Sequence, residues 1–186
     1  MKKTKSEKGL LSLEACIAVT FFIFFMLFMY SFFIVFEARN EMAHVLLSTT
    51  NSMSLDTLQS DKLGGTDDLS SIIYGIYSYA SKDEKGFTDA TNWAKVDVKA
   101  CDSPEFTQII RKRFIAYLAD GDEDGADAIL KRYHIVGGIN GLDFSESYIA
   151  SGNLHISVKY TLEYEFNMFN LGTMSFEQSA CSKLWK

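Results

Sequence analysis

The chain has 186 residues, of which 47% are hydrophobic, and its 24 Asp/Glu against 18 Lys/Arg give a net charge of -6. This length fits one membrane anchor and one ordinary domain of about 150 residues, and it excludes a second full domain. Only four lysines and two glutamates precede Glu37, so the rest carries 14 Lys/Arg against 22 Asp/Glu, net -8, which excludes nucleic acid as a favoured partner because its phosphates are also negative.

An uncharged apolar block runs from Ala15 to Phe36, behind a lysine-rich head that ends at Gly9. A bilayer is crossed by a helix of about 20 apolar residues, so the block predicts a single-pass protein of the cell membrane. The lysines of the head keep the N-terminus in the cytoplasm, and the acidic remainder is exported. A cleaved secretory signal is the alternative. However, the block is longer than the apolar region of a signal peptide, and no signal peptidase site with two small residues separated by one position follows it.

The helical pattern continues beyond the apolar block. No Gly or Pro occurs in 37–62, and apolar residues recur at helical spacing, which predicts one helix from about Leu10 to Leu63. Its first half lies in lipid and its second half forms a stalk. The Ser/Thr/Asn run at 48–52 competes for backbone hydrogen bonds and leaves a kink or break as an alternative. The predicted organisation is a cytoplasmic head at 1–9, a transmembrane and stalk helix at 10–63 with its span at 15–36, and an exported domain at 64–186.

The middle of the chain predicts short helices and one weak strand. A short helix is expected within 67–79 and a short strand at 94–98. Ser103-Pro104-Glu105 is a helix start, with Ser at the cap and Pro at the first helical position. In this helix the apolar side chains are expected to face inward: Phe106, Ile109, Ile110, Phe114 and Leu118. The basic side chains are expected to face the solvent: Arg111, Lys112 and Arg113.

An acidic run at 120–125, Asp-Gly-Asp-Glu-Asp-Gly, resembles the opening of an EF-hand calcium loop. The twelfth position is Lys131, where a bidentate Glu is required. We therefore interpret the run as a loop that caps a helix from Ala126 to Tyr133, with weak divalent binding as the alternative. The histidines are scattered and no Cys/His spacing suits a metal, so neither a metal nor a cofactor is predicted.

The last third of the chain changes to a period of two. Apolar and polar side chains alternate from Leu154 to Phe166, which predicts a long strand with one buried and one solvated face. Turn residues at 151–153 and Asn167–Gly172 connect it to expected strands at Asp143–Ile149 and Thr173–Leu184. The predicted fold class is α+β: a long N-terminal helix, then short helices packed on the apolar face of a three- or four-stranded antiparallel sheet.

The three cysteines have different predicted roles. Cys16 lies in the apolar block and is interpreted as a small buried hydrophobe, with a palmitoylated or intermolecular cysteine as the alternative. Cys101 and Cys181 fall in the exported part, where an oxidising environment permits a disulfide. Whether they pair stays open, because the sequence does not give the distance between them.

The residues around Gly9 resemble the processing site of prepilin-like proteins of type IV pilus and related systems. Lys8-Gly9 followed by Leu13-Glu14-Ala15 is most similar to the TadE-like minor pilins of tight-adherence pili, and the C-terminal strands ending at Leu184-Trp185 are similar to those of Gram-positive TadE-like chains. The resemblance implies that a prepilin peptidase cuts after Gly9. Leu10 would then be the mature N-terminus and Glu14 the fifth mature residue.

The predicted function is that of a minor pilin or pseudopilin, a structural component of pilus or secretion-filament assembly and not an enzyme. The implied partners are the lipid bilayer, the prepilin peptidase, other pilin or pseudopilin subunits and inner-membrane assembly proteins, and the implied destination is the cell surface. No catalytic dyad, nucleophile elbow or phosphate loop shows in the sequence. The alternative is an unprocessed single-pass membrane protein whose exported domain binds a ligand or partner.

Overall fold

The computed structural model describes residues 4–62, 104–164 and 172–184, and the side chains of 12–55, 105–164 and 172–184. In this part of the chain the predicted α+β fold, with its long N-terminal helix and antiparallel sheet, is confirmed. The helix predicted within 67–79, the strand at 94–98 and the turn at 167–171 lie outside the described residues. The described elements are α1 (Thr4–Lys62), α2 (Pro104–Ala119), α3 (Glu123–Arg132), a 3₁₀ turn (Gly138–Gly141), β1 (Tyr148–Ala150), β2 (Asn153–Glu163) and β3 (Thr173–Lys183).

α1 is one unbroken helix of 59 residues, about 88 Å long at 1.5 Å per residue. It begins six residues before the expected Leu10 and passes through the Ser/Thr/Asn run at 48–52 without a break. There the Thr50 hydroxyl donates to the Leu46 carbonyl oxygen at 2.7 Å. A hydroxyl that donates to a carbonyl oxygen of the preceding turn does not compete for the backbone hydrogen bonds of its own turn, so the Ser/Thr/Asn run does not end α1.

The two halves of α1 have opposite surroundings. Only 6% of its most apolar 18-residue window is buried, and the phenylalanines of the block point outward. In the second half, one stripe of side chains at helical spacing is at most 1% exposed and joins the hydrophobic core: Ala38, Met42, Val45, Leu46 and Met53. The segment predicted as a stalk is therefore also a wall of the domain core.

The sheet has the order β1-β2-β3, and both pairs are antiparallel. Along β2 the predicted alternation is confirmed, because the apolar side chains are at most 2% exposed: Leu154, Ile156, Val158, Tyr160 and Leu162. The helix that packs directly on β2 and β3 is α1, which the sequence did not predict. The short helices pack on α1 and on each other, and their buried side chains join the same core. α1, α2, α3 and the sheet thus enclose one core.

The first predicted strand, Asp143–Ile149, is wrong in its extent, because only Tyr148–Ala150 pairs continuously. Asp143 forms an isolated bridge with Lys159, and its carboxylate then accepts from the Ser145 backbone N–H at 2.9 Å. This Asx turn diverts the chain before the strand can lengthen.

The prediction that the basic residues of α2 face outward is wrong for Arg113. Its side chain is 2% exposed, and Nη1 donates to the Ser52 hydroxyl of α1 at 2.7 Å. The neighbouring Ile115 and Ala116 are also buried, since α2 is covered by α1 on one side and by the rest of the core on the other. Arg113 therefore contacts the stalk and not the solvent.

The aromatic pair between α2 and the sheet layer allows a stability prediction. Phe114 is fully buried, and its ring lies 5.4 Å from that of Phe144. Phe114→Ala is expected to lower the free energy of unfolding by about 3–5 kcal/mol, because a large buried ring is replaced by a cavity. Denaturant unfolding of the full chain in detergent measures this, with Tyr117→Ala, 37% exposed on the same helix, as the control. Equal losses in the two variants would contradict the assignment of Phe114 to the core.

α3 begins three residues earlier than predicted, at Glu123. Asp122 caps it, and its side chain accepts from the Asp124 backbone N–H. Asp127 bonds the Lys131 ammonium at 2.6 Å and the Ile139 backbone N–H at 3.1 Å, and these two contacts, in that order, lower the pKa of its carboxyl. The acidic run thus serves as a helix cap, which favours the interpretation as a loop over that as a calcium site.

Candidate functional site

The predicted processing and assembly residues lie together at the start of α1. Gly9, Leu10 and Glu14 are all helical, and Glu14 stands four residues beyond Leu10, one turn or about 6 Å along the axis. The Glu14 side chain is exposed. A cut after Gly9 would thus leave α1 beginning at Leu10, with the new ammonium and the Glu14 carboxylate on nearly one face.

The apolar half of α1 presents a broad hydrophobic surface. Phe21 is 72% exposed, Phe22 58% and Phe33 65%, so rings point to different sides of the helix. Among the described residues, α1 is the one helix long and apolar enough to cross a membrane. Cys16 is exposed on this surface, so its interpretation as a buried hydrophobe stays a prediction that requires lipid or a neighbouring helix to cover it. The Thr20 hydroxyl donates to the Cys16 carbonyl oxygen at 2.8 Å, which satisfies this polar group within the helix, as a lipid environment requires.

The sheet is fastened along the helix that carries these residues. The Gln178 amide donates to the Arg39 carbonyl oxygen at 3.1 Å, and the Ser182 hydroxyl bonds that of Ser54 at 3.0 Å. As α1 rises from residue 39 to 54, β3 therefore rises beside it from 178 to 182. The strands stand along the stalk, with the Thr173 end of β3 directed towards the apolar half of α1.

Below this contact the domain reaches the apolar half itself. Ser31 is only 6% exposed, and it lines a crevice together with Val35, His134, Leu162 and Tyr164. Ser31 belongs to the predicted span. The lower end of the domain and the upper end of the span are thus in direct contact, with no linker between them.

An aromatic cluster lies just above the crevice. The rings of Tyr160 and Phe176 stack with their centroids 5.8 Å apart. The Arg39 guanidinium lies 5.3 Å from the centroid of the Phe176 ring. Burial raises the pKa of Tyr160 to about 12, although nearby Arg39 acts in the opposite direction. Tyr160 therefore stays neutral at ordinary pH, and the cation lies over Phe176.

On the solvated face of the sheet, three side chains form a row across the three strands. The Tyr148 and His155 rings stack at 4.6 Å, and His155 Nε2 lies 3.5 Å from the free, exposed thiol of Cys181. The sequence could not place this row, because it depends on the strand register. Cys101 lies outside the described residues, so its pairing with Cys181 stays a prediction, which thiol alkylation with and without reduction tests.

No metal centre accompanies this row in the described part of the chain. Within the described residues, no group of three His, Cys, Asp or Glu side chains is placed to hold a metal ion. Comparisons of the chain with protein-family models, with curated proteins and with solved structures find no match. The functional proposal therefore rests on the residues of this chain and on their arrangement.

Proposed function

We propose that the protein is a membrane-anchored structural subunit of pilus or secretion-filament assembly, of the TadE-like minor pilin or pseudopilin type, and that it is processed after Gly9. The observation that carries the proposal is the division of α1. One continuous helix has an exposed apolar half with a carboxylate at its start, and a second half packed into the core of an α+β domain. This is the form expected of a subunit whose helices bundle while its domain is displayed.

The exposed phenylalanines support a role in helix bundling. In a bilayer they face lipid, and the same surface can pack against neighbouring helices when subunits assemble, since helix association in lipid is driven by packing and by polar contacts. The block bears no charge between Glu14 and Glu37. After cleavage, any ion pair near the cytoplasmic end of such a bundle therefore involves Glu14 and the new chain end.

Glu14 lies at the cytoplasmic edge of the span. A carboxylate costs about 2.5–3.5 kcal/mol at the centre of a membrane helix on insertion scales and less at its edge, and ionisable residues in such segments tend to be functional. Cleavage after Gly9 creates an ammonium at Leu10, and in a bundle the ammonium of one subunit meets the Glu14 carboxylate of its neighbour. Pairing offsets the desolvation that each charge would suffer alone.

Gly9 suits the role of the residue before the cut. It has no side chain, so the backbone can approach a protease closely. The lysines on its N-terminal side keep this site in the cytoplasm, where the peptidase acts in the systems that the motif resembles. The rest of the chain, net -8 beyond residue 36, is then on the outer side.

The N-terminus of the protein in its native membrane tests the proposal. Intact mass and N-terminal sequencing are expected to find a chain that begins at Leu10. An intact head on the protein in cells that contain a prepilin peptidase would overturn the proposal. It would leave the second candidate, an unprocessed single-pass protein that binds a ligand, for which the uncovered Tyr148, His155 and Cys181 row offers a contact surface.

Glu14→Gln is expected to reduce incorporation of the protein into the assembled filament by at least tenfold. The neutral amide cannot form an ion pair with the ammonium of a neighbour, and a tenfold loss corresponds to about 1.4 kcal/mol. Membrane insertion should be unchanged. Quantitative immunoblots of sheared filaments and of membranes measure the two quantities. Glu37→Gln, at the other end of the block, is the matched control, and equal loss in both variants would count against the pairing role.

A further inference from the structure

We propose that the lower end of the domain docks on the outer surface of the bilayer, so that lipid contacts this protein at a second place besides the span. The basal surface consists of Arg39, Arg132, Val136, Tyr164 and Met174. Its occupant is the headgroup region of phospholipid. The inference rests on the proposed membrane span of α1, but not on cleavage after Gly9.

The depth of the contact follows from α1. The uncharged block of 22 residues is about 33 Å long, close to the about 30 Å of a hydrocarbon core. If the core is centred on the block, its upper edge falls near residue 35, and Ser31 lies inside it. If the core instead begins at Leu10, its upper edge falls near residue 30. In the first placement the segment 31–35 lies in the hydrocarbon core, and in the second it lies in the headgroup layer just above the core.

The domain touches α1 at this depth. Ser31 and Val35 share a crevice with His134, Leu162 and Tyr164, so these domain residues lie at the same level as the end of the span. A lipid headgroup layer that surrounds α1 must therefore meet the domain here. The upward course of β3 along α1, from Arg39 to Ser54, places the opposite end of the sheet far above.

The side chains near the crevice suit a lipid interface. Met174, directly opposite Leu162 in the sheet, is 41% exposed, and Val136, two residues after His134, is 44% exposed. The Tyr164 hydroxyl donates to the Met174 sulfur at 2.6 Å. Tyrosine is enriched at membrane interfaces, where its ring is apolar and its hydroxyl is wet. The apolar face of the sheet thus continues, uncovered by the described residues, to the level of the lipid.

Two cations stand beside this apolar surface. The exposed Arg132 lies 5.2 Å from the Tyr133 ring, and Arg39 lies three residues above the last apolar residue of the block. Both can reach phosphate groups, while the exposed Glu37 and Glu163 oppose them. The apolar, aromatic and arginine side chains together suit the headgroup layer of phospholipid, where arginine and tyrosine keep their polar ends in water.

Fluorescence depth measurements on the full chain test the inference. The native cysteines are replaced by serine, one cysteine is introduced by Met174→Cys or Val136→Cys, and an environment-sensitive dye is attached. The protein is inserted in phosphatidylethanolamine and phosphatidylglycerol vesicles that contain lipid with a spin label near the headgroup. Quenching at 174 and 136 is expected to be at least about twofold stronger than at the control, since interfacial side chains enter the headgroup boundary by ~5–10 Å.

The control is Ala150→Cys, exposed in β1 at the far end of the sheet, about 33 Å along β2 from Glu163. A second control is Phe25→Cys, in the middle of the span. A dye at this position is expected to be quenched by lipid that carries its spin label deep in the acyl chains, which tests whether α1 spans the bilayer. If the dye is quenched at 25 but no more strongly at 174 and 136 than at the control, lipid does not contact the basal surface and the inference is overturned. The assignment of the membrane span would stand in that case. No quenching at 25 overturns the span itself. A dye at 174 that is shielded from aqueous iodide but not quenched by lipid shows that protein, from this chain or from a second copy, covers the surface, which also overturns the inference.

Discussion

Gly9→Leu is expected to leave residues 1–9 on the protein and to abolish its incorporation into filaments. The leucine side chain prevents the close backbone approach that a glycine allows at the cut, so no ammonium forms at Leu10 and the Glu14 carboxylate has no partner. Membrane insertion should be unaffected, because the span at 15–36 is intact. Intact mass of the purified membrane protein measures the leader, and sheared filament fractions measure assembly.

Ser6→Leu is the matched control, since it makes a similar change within the same head without touching the cut. It is expected to give a chain that begins at Leu10, as the unmodified protein does. If Gly9→Leu and the unmodified protein have the same N-terminus, the assignment of Gly9 fails. If the leader stays attached and assembly is nevertheless normal, the link between the new ammonium and Glu14 fails.

The second large effect concerns the division between stalk and domain. A chain that begins at residue 64 is expected not to fold cooperatively, although it contains the whole sheet. The side chains it lacks include the four largest apolar ones that α1 contributes to the core, Met42, Val45, Leu46 and Met53, each of which contributes about 1.5–3 kcal/mol on burial. Their sum is comparable to the about 5–15 kcal/mol by which an entire domain is stable. Denaturant unfolding monitored by near-ultraviolet circular dichroism measures the loss.

A chain that begins at Glu37 is the control, because it keeps the second half of α1 and omits the apolar half. It is expected to unfold in one cooperative transition. Within it, Leu46→Asp should abolish that transition, whereas Leu47→Asp should leave it nearly unchanged, since the two side chains are 1% and 51% exposed. A cooperative transition in the chain from residue 64, with the midpoint of the longer chain, would contradict the shared core.

Elements with a strong local signal could be predicted from the sequence. The continuous α1 follows from a long stretch without Gly or Pro, and β2 follows from alternation in which each face has its own chemistry. The start of α2 at Pro104 was equally readable, because Pro is accepted at the first helical position. Gly9 and Glu14 are close in sequence, so their spacing on α1 needed no tertiary information.

Features that depend on distant contacts could not be predicted in this way. Arg113 was expected in solvent, but its partner Ser52 is 61 residues away in sequence. The row of Tyr148, His155 and Cys181 depends on the pairing register, which alternation alone does not give. The packing of the stalk against the domain could not be predicted, because a helical stripe does not reveal which surface will cover it.

The unbroken course of α1 has a mechanical consequence. Its backbone hydrogen bonds run in series from the apolar half into the core of the domain, without a hinge or linker at residue 36. In the proposed membrane-anchored state, a pull on the span is therefore carried directly to the sheet, and rotation of the span about its axis turns the domain by the same angle. A protease at the outer surface then finds no extended segment within residues 4–62 to cut, so a cut between anchor and domain requires that the helix first unwind.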